Sequence, residues 1–351
     1  MKKMSLVVSL LIAFSLILLV ILTPGCELAP SDPGPAPTPV PNTSGWTKMT
    51  INTSKDLVCV WGNGVNKVYT ASADGDIWFF NGSTWSYYYH ITPISGSVLT
   101  ANCIWVSSDN YVFVGSTEQC GVDQNGKVRW YNGTTWNDKN LTDGVLKIWG
   151  LDHNNVYVTE KGGNIVHFDG SDWTYMNSGV TQPLYSIFGL DADSIYAGGG
   201  ETSGVVIRYV PGSPGSWTAM TINPSTPAVT NPVFKTIWGY SGTPDSWWGG
   251  GPDFSGTSND GSSWNVKQFS NLLLNGIWGK TDGSLIFGVG SYSSTGAPPI
   301  QHNIFRYNKT TSSWDFQDGN PPANDKTLYA IWGTDTDFFA VGEDGTILRY
   351  H

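Results

Sequence analysis

Hydrophobic residues in this chain come in short bursts rich in β-branched and aromatic side chains, divided by clusters of Asn, Asp, Gly and Ser. One stretch shows the pattern clearly. Leu146-Lys147-Ile148-Trp149-Gly150 is followed by the turn residues Asp152 to Asn155, then Val156-Tyr157-Val158, then Gly163 to Phe168, then Asp169 to Asp172, then Trp173-Thr174-Tyr175-Met176. Bursts of this length and composition are strands, and the separators are tight turns, because Asn, Asp and Gly tolerate positive φ or bond their own backbone. Four antiparallel strands are therefore predicted here. No helical period is present after residue 30.

The unit recurs, and two interleaved tryptophan series mark it. The first follows an apolar residue: Trp61, Trp105, Trp149, Phe188 in place of Trp, Trp238, Trp278 and Trp332, at intervals of 39 to 54 residues. The second follows a polar turn: Trp46, Trp85, Trp136, Trp173, Trp217, Trp264 and Trp314. A supersecondary unit repeated at such a period buries its apolar face only against its neighbours. The prediction is an all-β, seven-bladed β-propeller over 45–351, a ring that leaves only short sheet edges. The chain stops after the third strand of the last repeat, and an unpaired fourth strand stands at the start of the ring, from Trp46 to Thr50. Lending that strand to the last blade closes the circle.

Thirteen of the 17 Trp fall in the two series and are expected to fill the seams between blades. Trp248 replaces the strand aromatic seen at Tyr157 and Tyr196, which leaves Trp78, Trp130 and Trp247 as extras.

The N-terminus has another character. Met1-Lys2-Lys3 precedes an uncharged apolar run to Leu22 and then Thr23-Pro24-Gly25-Cys26, the layout of an export signal over 1–25. Gly25-Cys26 resembles the lipobox of bacterial lipoproteins, which implies cleavage before Cys26 and lipidation of that residue. An uncleaved anchor is the rival, since the run is about long enough to span a bilayer. Residues 26–44 continue as a Pro-rich, semi-rigid spacer. Either route places the ring outside the cytoplasm, in the bacterial cell envelope and tethered to a membrane.

Cys59, Cys103 and Cys120 remain. The first two lie two residues before a first-series Trp, where other repeats carry Ser186, Thr236, Gly276 and Ala330, so buried thiols are expected. An oxidising compartment allows one disulfide, with Cys103 and Cys120 preferred and Cys59 with Cys103 as the alternative. A net charge of −10 excludes a basic nucleic-acid footprint and argues against adhesion to anionic lipid. No cofactor motif is present, and His90, His153, His167, His302 and His351 lack metal-ligand spacing.

Loop length points to a functional face. Turns joining first to second and third to fourth strands are minimal, whereas Glu118 to Gly126, Asn223 to Pro232, Ser291 to Asn303 and Asp315 to Lys326 are long, and all four emerge on one side of a propeller. Tyr87, Tyr88, Tyr89 and His90 run toward that side, as do Phe234, Tyr292 and Phe316. Rings beside Asn, Gln and Ser suit a peptide or a sugar face.

The repeats resemble the BNR or Asp-box propellers of sialidases and photosystem assembly factors. The resemblance rests on Ser258-Asn259-Asp260-Gly261-Ser262-Ser263-Trp264 and on shorter matches ending at Trp85, Trp136 and Trp173. It implies the fold and no activity, because the Asp-box is a structural turn. A sialidase-like site needs clustered arginines and a Tyr beside a carboxylate. Arg208, Arg306 and Arg349 instead precede the same third-strand aromatic of separate repeats, with Arg129 one residue out of register. The acid pairs at Asp74 and Asp76, Asp191 and Asp193, and Asp335 and Asp337 read as turn formers. The reading is a monomeric, non-catalytic binding or assembly module for an envelope protein or glycan, with a glycan-active hydrolase or lyase as the alternative.

Overall fold

The computed structural model describes residues 45–93, 97–120, 123–212, 215–224, 229, 231–242, 246–294, 302–317 and 325–351. Export signal, Cys26 and spacer lie outside them. Five four-stranded sheets and one larger sheet make up the fold. Blades 1 to 4 cover 57–90, 98–141, 145–176 and 184–219, each with its strands in chain order, and the last blade covers 328–350. Trp46–Lys48 pairs antiparallel with Ile347–Tyr350, placing Trp46 opposite Tyr350. The first strand therefore completes the last blade, as the phase of the repeats predicts.

The larger sheet holds two blades. A straight 12-residue strand would hold its ends roughly 40 Å apart. Yet Trp247–Ser258 brings them together, because Ser246 Oγ donates to the Asn259 carbonyl at 2.7 Å. The strand doubles back at Pro252-Asp253, where Asp253 takes φ 60. Ser263–Gly279 likewise serves two blades: its first half pairs back onto Trp247–Ser258 and its second half pairs with Ile286–Tyr292. Blade 5 is thus 236–268 and blade 6 is 272–316, making seven blades. Blade 5 also gains a fifth, outermost strand that the repeat does not foretell, Thr221–Pro224, parallel to the segment bearing Trp264. The segment expected as a loop from Glu118 to Gly126 is mostly strand as well, the tip of a long hairpin between Val112–Cys120 and Asp123–Tyr131.

The two tryptophan series join blades in opposite directions. First-series rings lie on the glycine of the next blade. A methyl carbon on Gly150 would fall 2.9 Å from Trp105, one on Gly189 2.5 Å from Trp149, one on Gly279 2.7 Å from Trp238, and one on Gly62 2.8 Å from Trp332. The recurring Trp-Gly pair is therefore a ring and the hollow that receives the preceding ring. Second-series rings reach back instead: Trp46 meets Phe287 at 5.2 Å, Trp136 stacks on Tyr89 at 4.4 Å, and Trp85 and Trp173 meet Phe339 and Phe113 at 6.5 Å. The seams between blades 2 and 3 and between blades 7 and 1 are thereby gripped from both sides.

Three first-series positions break the rule. Val106 stands where blade 2 needs glycine, and Trp61 turns toward the ring axis to meet Trp278 at 5.2 Å. Phe188 is too short to cover Gly239. Trp278 also points inward, donating from Nε1 to the Gly333 carbonyl at 2.9 Å. Where the preceding ring covers the glycine, its cross-strand partner is Val68, Val156, Ile195 or Ile286. At the two uncovered glycines the partner is a large aromatic, Trp247 beside Gly239 and Phe338 beside Gly333. This accounts for Trp247, one of the extras. Trp130 fills another seam, packing on Phe168 and Trp173.

Two outcomes follow from these contacts. A chain starting at Ile51 loses the closing strand and exposes sheet edges, so it should aggregate or melt without cooperativity, whereas one starting at Ser44 should melt as a single transition. Scanning calorimetry of the two checks this, and equal melting would contradict the closure. Trp247→Val should lower stability by about 2 to 4 kcal/mol, and Phe188→Trp in the same chain should recover part of it by covering Gly239 from blade 4. Urea unfolding of the double-mutant cycle reads the coupling, and strictly additive effects would contradict the compensation.

Candidate functional site

The aromatic residues expected on the long-loop face form two separate groups. In blade 1, Trp85–His90 is the outer strand. Tyr89 is committed to packing by its stack on Trp136, Tyr88 leans on Tyr69 at 5.4 Å, and Tyr87 meets Trp78 at 5.7 Å while staying 55 % exposed. His90 Nδ1 lies 2.7 Å from Asp76 Oδ1, and Asp76 also receives Lys55. In blade 6, Tyr292 meets Phe316 at 4.6 Å, and His302 stacks on Phe316 at 4.1 Å. Burial lowers the pKa of His302. Blade 7 stands between the groups, so Tyr87 to His90 and Tyr292 with Phe316 do not share one pocket. Phe234, fully buried between Phe254 and Trp264, is core. His302 entered the sequence reading only as a candidate metal ligand, with no place in this group, although its position directly opposite Tyr292 across a hairpin is a usable signal.

The long hairpin of blade 2 is braced from within. Lys127 Nζ and Glu118 Oε1 meet at 2.9 Å, both buried. A buried ion pair of this kind fixes geometry more than it adds stability.

Around the ring axis lie the side chains two residues before each first-series residue. Ser186 Oγ accepts the Ile237 N–H at 2.8 Å, and Thr236 Oγ1 accepts that of Ile277 at 3.2 Å, so these small hydroxyls tie each blade to the next. The space between is only about 30 Å³. Cys59 and Cys103 occupy the same register as buried free thiols. Burial pushes the Cys59 thiol up to about 12, and burial followed by the neighbouring Cys59 pushes Cys103 up as well. The expected bridge from Cys103 to Cys120 is corrected by the register. Cys103 stands opposite Gly115, and Cys120 lies five residues further along that strand. That is about 17 Å at the usual rise per residue, against the ~7 Å that a disulfide spans. Lys147 shares the axial register and departs from the small residues expected there.

The acidic pairs brace turns. Asp335 accepts from the Thr281 N–H at 2.7 Å and from its hydroxyl, Asp337 holds Arg349 at 2.6 Å, and Asp191 caps the Asp193 N–H at 2.9 Å. Glu160, fully buried, has its pKa raised by burial, yet both oxygens are engaged: Asn164 Nδ2 donates at 2.9 Å, the Asp143 N–H at 3.3 Å and the Tyr175 hydroxyl at 3.4 Å. Its carboxylate secures the connection between blades. Arg129 grips Asp138, Arg208 the Asp193 carbonyl and Arg349 Asp337, each in a different blade, so they do not converge. Among the described residues, no three His, Cys, Asp or Glu side chains are placed to hold a metal ion. The Asp-box-like turn is structural: Ser258 Oγ accepts the Gly261 N–H at 2.8 Å, and the Asp260 carbonyl accepts the Tyr196 hydroxyl at 2.9 Å.

Two hollows accompany these groups. A polar cleft of about 370 Å³ runs beside Arg306, Lys309, Asp315 and Phe316 in blade 6. The other, about 440 Å³, opens over the ring axis on the short-turn face, where Phe188, Trp238 and Trp278 lie beneath it.

No protein-family model matches the chain, and no curated protein matches its sequence. Solved structures do share its fold. YCF48 from Cyanidioschyzon merolae is 14 % identical with a TM-score of 0.58, over 87 % of this chain and 98 % of its own. A structure of YCF48 bound to D1 peptide gives 12 % and 0.63, over 89 % and 96 %. The WD40 β-propeller domain of Doa1 gives 9 % and 0.61, over 88 % and 97 %. At these identities the likeness is one of fold: the chain is a β-propeller of four-stranded antiparallel blades.

Proposed function

We propose that this chain is an exported lipoprotein, tethered to a membrane through lipidated Cys26, whose BNR-like propeller is a non-catalytic docking module for an envelope protein. The observation that carries the docking face is where exposed apolar surface lies. Among the described residues the exposed large hydrophobics are Tyr87, Tyr88, Val98, Tyr175 and Phe316, on the outer strands or strand starts leading to the long-loop face, with only Leu151 and Val210 toward the other. Exposed aromatics on a rigid frame are the usual anchors of protein interfaces. A propeller of the same fold, YCF48, bound to D1 peptide supports a protein partner. Against a hydrolase reading stands Glu160, the carboxylate with a raised pKa, whose oxygens are taken up in bracing.

The full chain, purified from detergent-solubilised membranes, tests both parts. Mass spectrometry should find Cys26 as a lipid-modified N-terminus, and an intact Met1 would contradict the anchor. An envelope protein should co-purify with the native chain. Its recovery should fall about tenfold or more with Tyr87→Ala/Phe316→Ala, as loss of hot-spot aromatics does, without a lower melting temperature. Leu151→Ala/Val210→Ala should leave recovery unchanged. Loss with the second pair and not the first would place docking on the opposite face.

A further inference from the structure

The hollow over the ring axis has a definite chemical character. Phe188, Trp238, Tyr240 and Trp278 supply its aromatic surface, and Asp191 of blade 4 and Asp335 of blade 7 stand on its wall. None of its lining residues is basic. The rings are held in place. Trp278 meets Phe188 at 5.6 Å and Trp238 at 6.3 Å, and a methyl carbon on Gly242 or Gly283 would fall 2.3 Å from the Tyr240 ring. Both carboxylates are fixed as well, Asp335 by the Thr281 N–H and hydroxyl and Asp191 by the Asp193 N–H. These partners are neutral donors, not cations.

Aromatic faces attract cations through their quadrupoles, and carboxylates beside them add direct pairing. The same ring stack already receives one cation from its outer side. Lys309 Nζ lies 5.0 Å from the Tyr240 ring centre and 5.7 Å from that of Trp248, and donates to the Tyr240 hydroxyl at 3.0 Å. A flat guanidinium suits a site that offers both ring faces and separate carboxylates better than a compact ammonium does. The overall charge of −10 favours approach of a basic segment. We infer that this hollow is a binding site for an arginine side chain presented by a basic peptide segment. Two of its rings, Phe188 and Trp278, leave the Trp-on-Gly pattern, and it lies on the face opposite Tyr87 and Phe316. It is therefore a second site, independent of the docking face proposed above.

The probe is a fluorescein-labelled heptapeptide with two central arginines, titrated with the detergent-solubilised full chain and followed by anisotropy. Saturable binding is expected, weakened by added salt. Asp191→Asn/Asp335→Asn should weaken it about tenfold or more, and so should replacing both arginines by neutral citrulline. Asp191→Asn alone, which leaves the Thr281 brace untouched, should give a smaller loss in the same direction. Tyr87→Ala/Phe316→Ala should not affect it. The inference is overturned if the arginine peptide does not saturate, if the citrulline peptide or an uncharged oligosaccharide binds as tightly, or if the double Asn variant keeps full affinity. Failure here leaves co-purification through Tyr87 and Phe316 unaffected, so the two readings are separable.

Discussion

The ring depends on one contact repeated between blades, an indole laid on a glycine. A four-stranded sheet of this size cannot bury both faces alone, and its neighbours supply the cover. Trp105, Trp149, Trp238 and Trp332 each reach the glycine of the following blade, and a side chain of even one carbon there would collide with the ring. The outer tryptophans grip in the other sense, as Trp46 does against Phe287. Closure of the circle by Trp46–Lys48 belongs to the same system, since that strand brings both backbone pairing and a fully buried indole to the last seam.

Departures from the rule are where the molecule gains chemistry. Val106 denies Trp61 its hollow, Phe188 is short, and Trp278 bonds Gly333 instead of lying on it. Their rings converge near the axis, with Trp278 touching Trp61, Phe188, Trp238 and Trp332. The axis is nearly closed beneath, and an aromatic hollow is left above. Trp247 and Phe338 fill the seams thereby vacated. A repeat that was regular all round would have a packed wall and no such hollow.

Much of this was legible from residue order. Seven units, four strands each and the borrowed closing strand all follow from turn residues and two tryptophan series, because those features recur at fixed places in every blade. Blade 5 shows where that reading stops. Its doubled strand at Pro252-Asp253 has almost no turn to announce it, and Thr221–Pro224 joins as a parallel fifth strand without any repeat-equivalent residue. The hairpin tip around Cys120 is polar and reads as loop, yet Lys127 and Glu118 pair inside it. Cys103 and Cys120 share a blade, but antiparallel register keeps them apart. For the candidate surfaces, sequence identified Tyr87 and Phe316 as aromatic and near long loops. It had no means of separating them by a blade, or of predicting that Tyr89 is consumed in packing.

Gly189→Ala measures the central contact most directly. Gly189 lies in a strand without positive φ, so its backbone accepts alanine, and the added carbon would fall 2.5 Å from the Trp149 ring. Gly64 is the control, also in a strand without positive φ and with open space around its missing side chain. Where nothing obstructs, Gly→Ala stabilises by about 0.4 to 1 kcal/mol through the unfolded chain. Urea denaturation should therefore find Gly64→Ala neutral or stabilising and Gly189→Ala destabilised by roughly 1 to 3 kcal/mol, the usual range for an overpacked core. If Gly189→Ala proved as stable as Gly64→Ala, the ring would not be held by indoles resting on glycine.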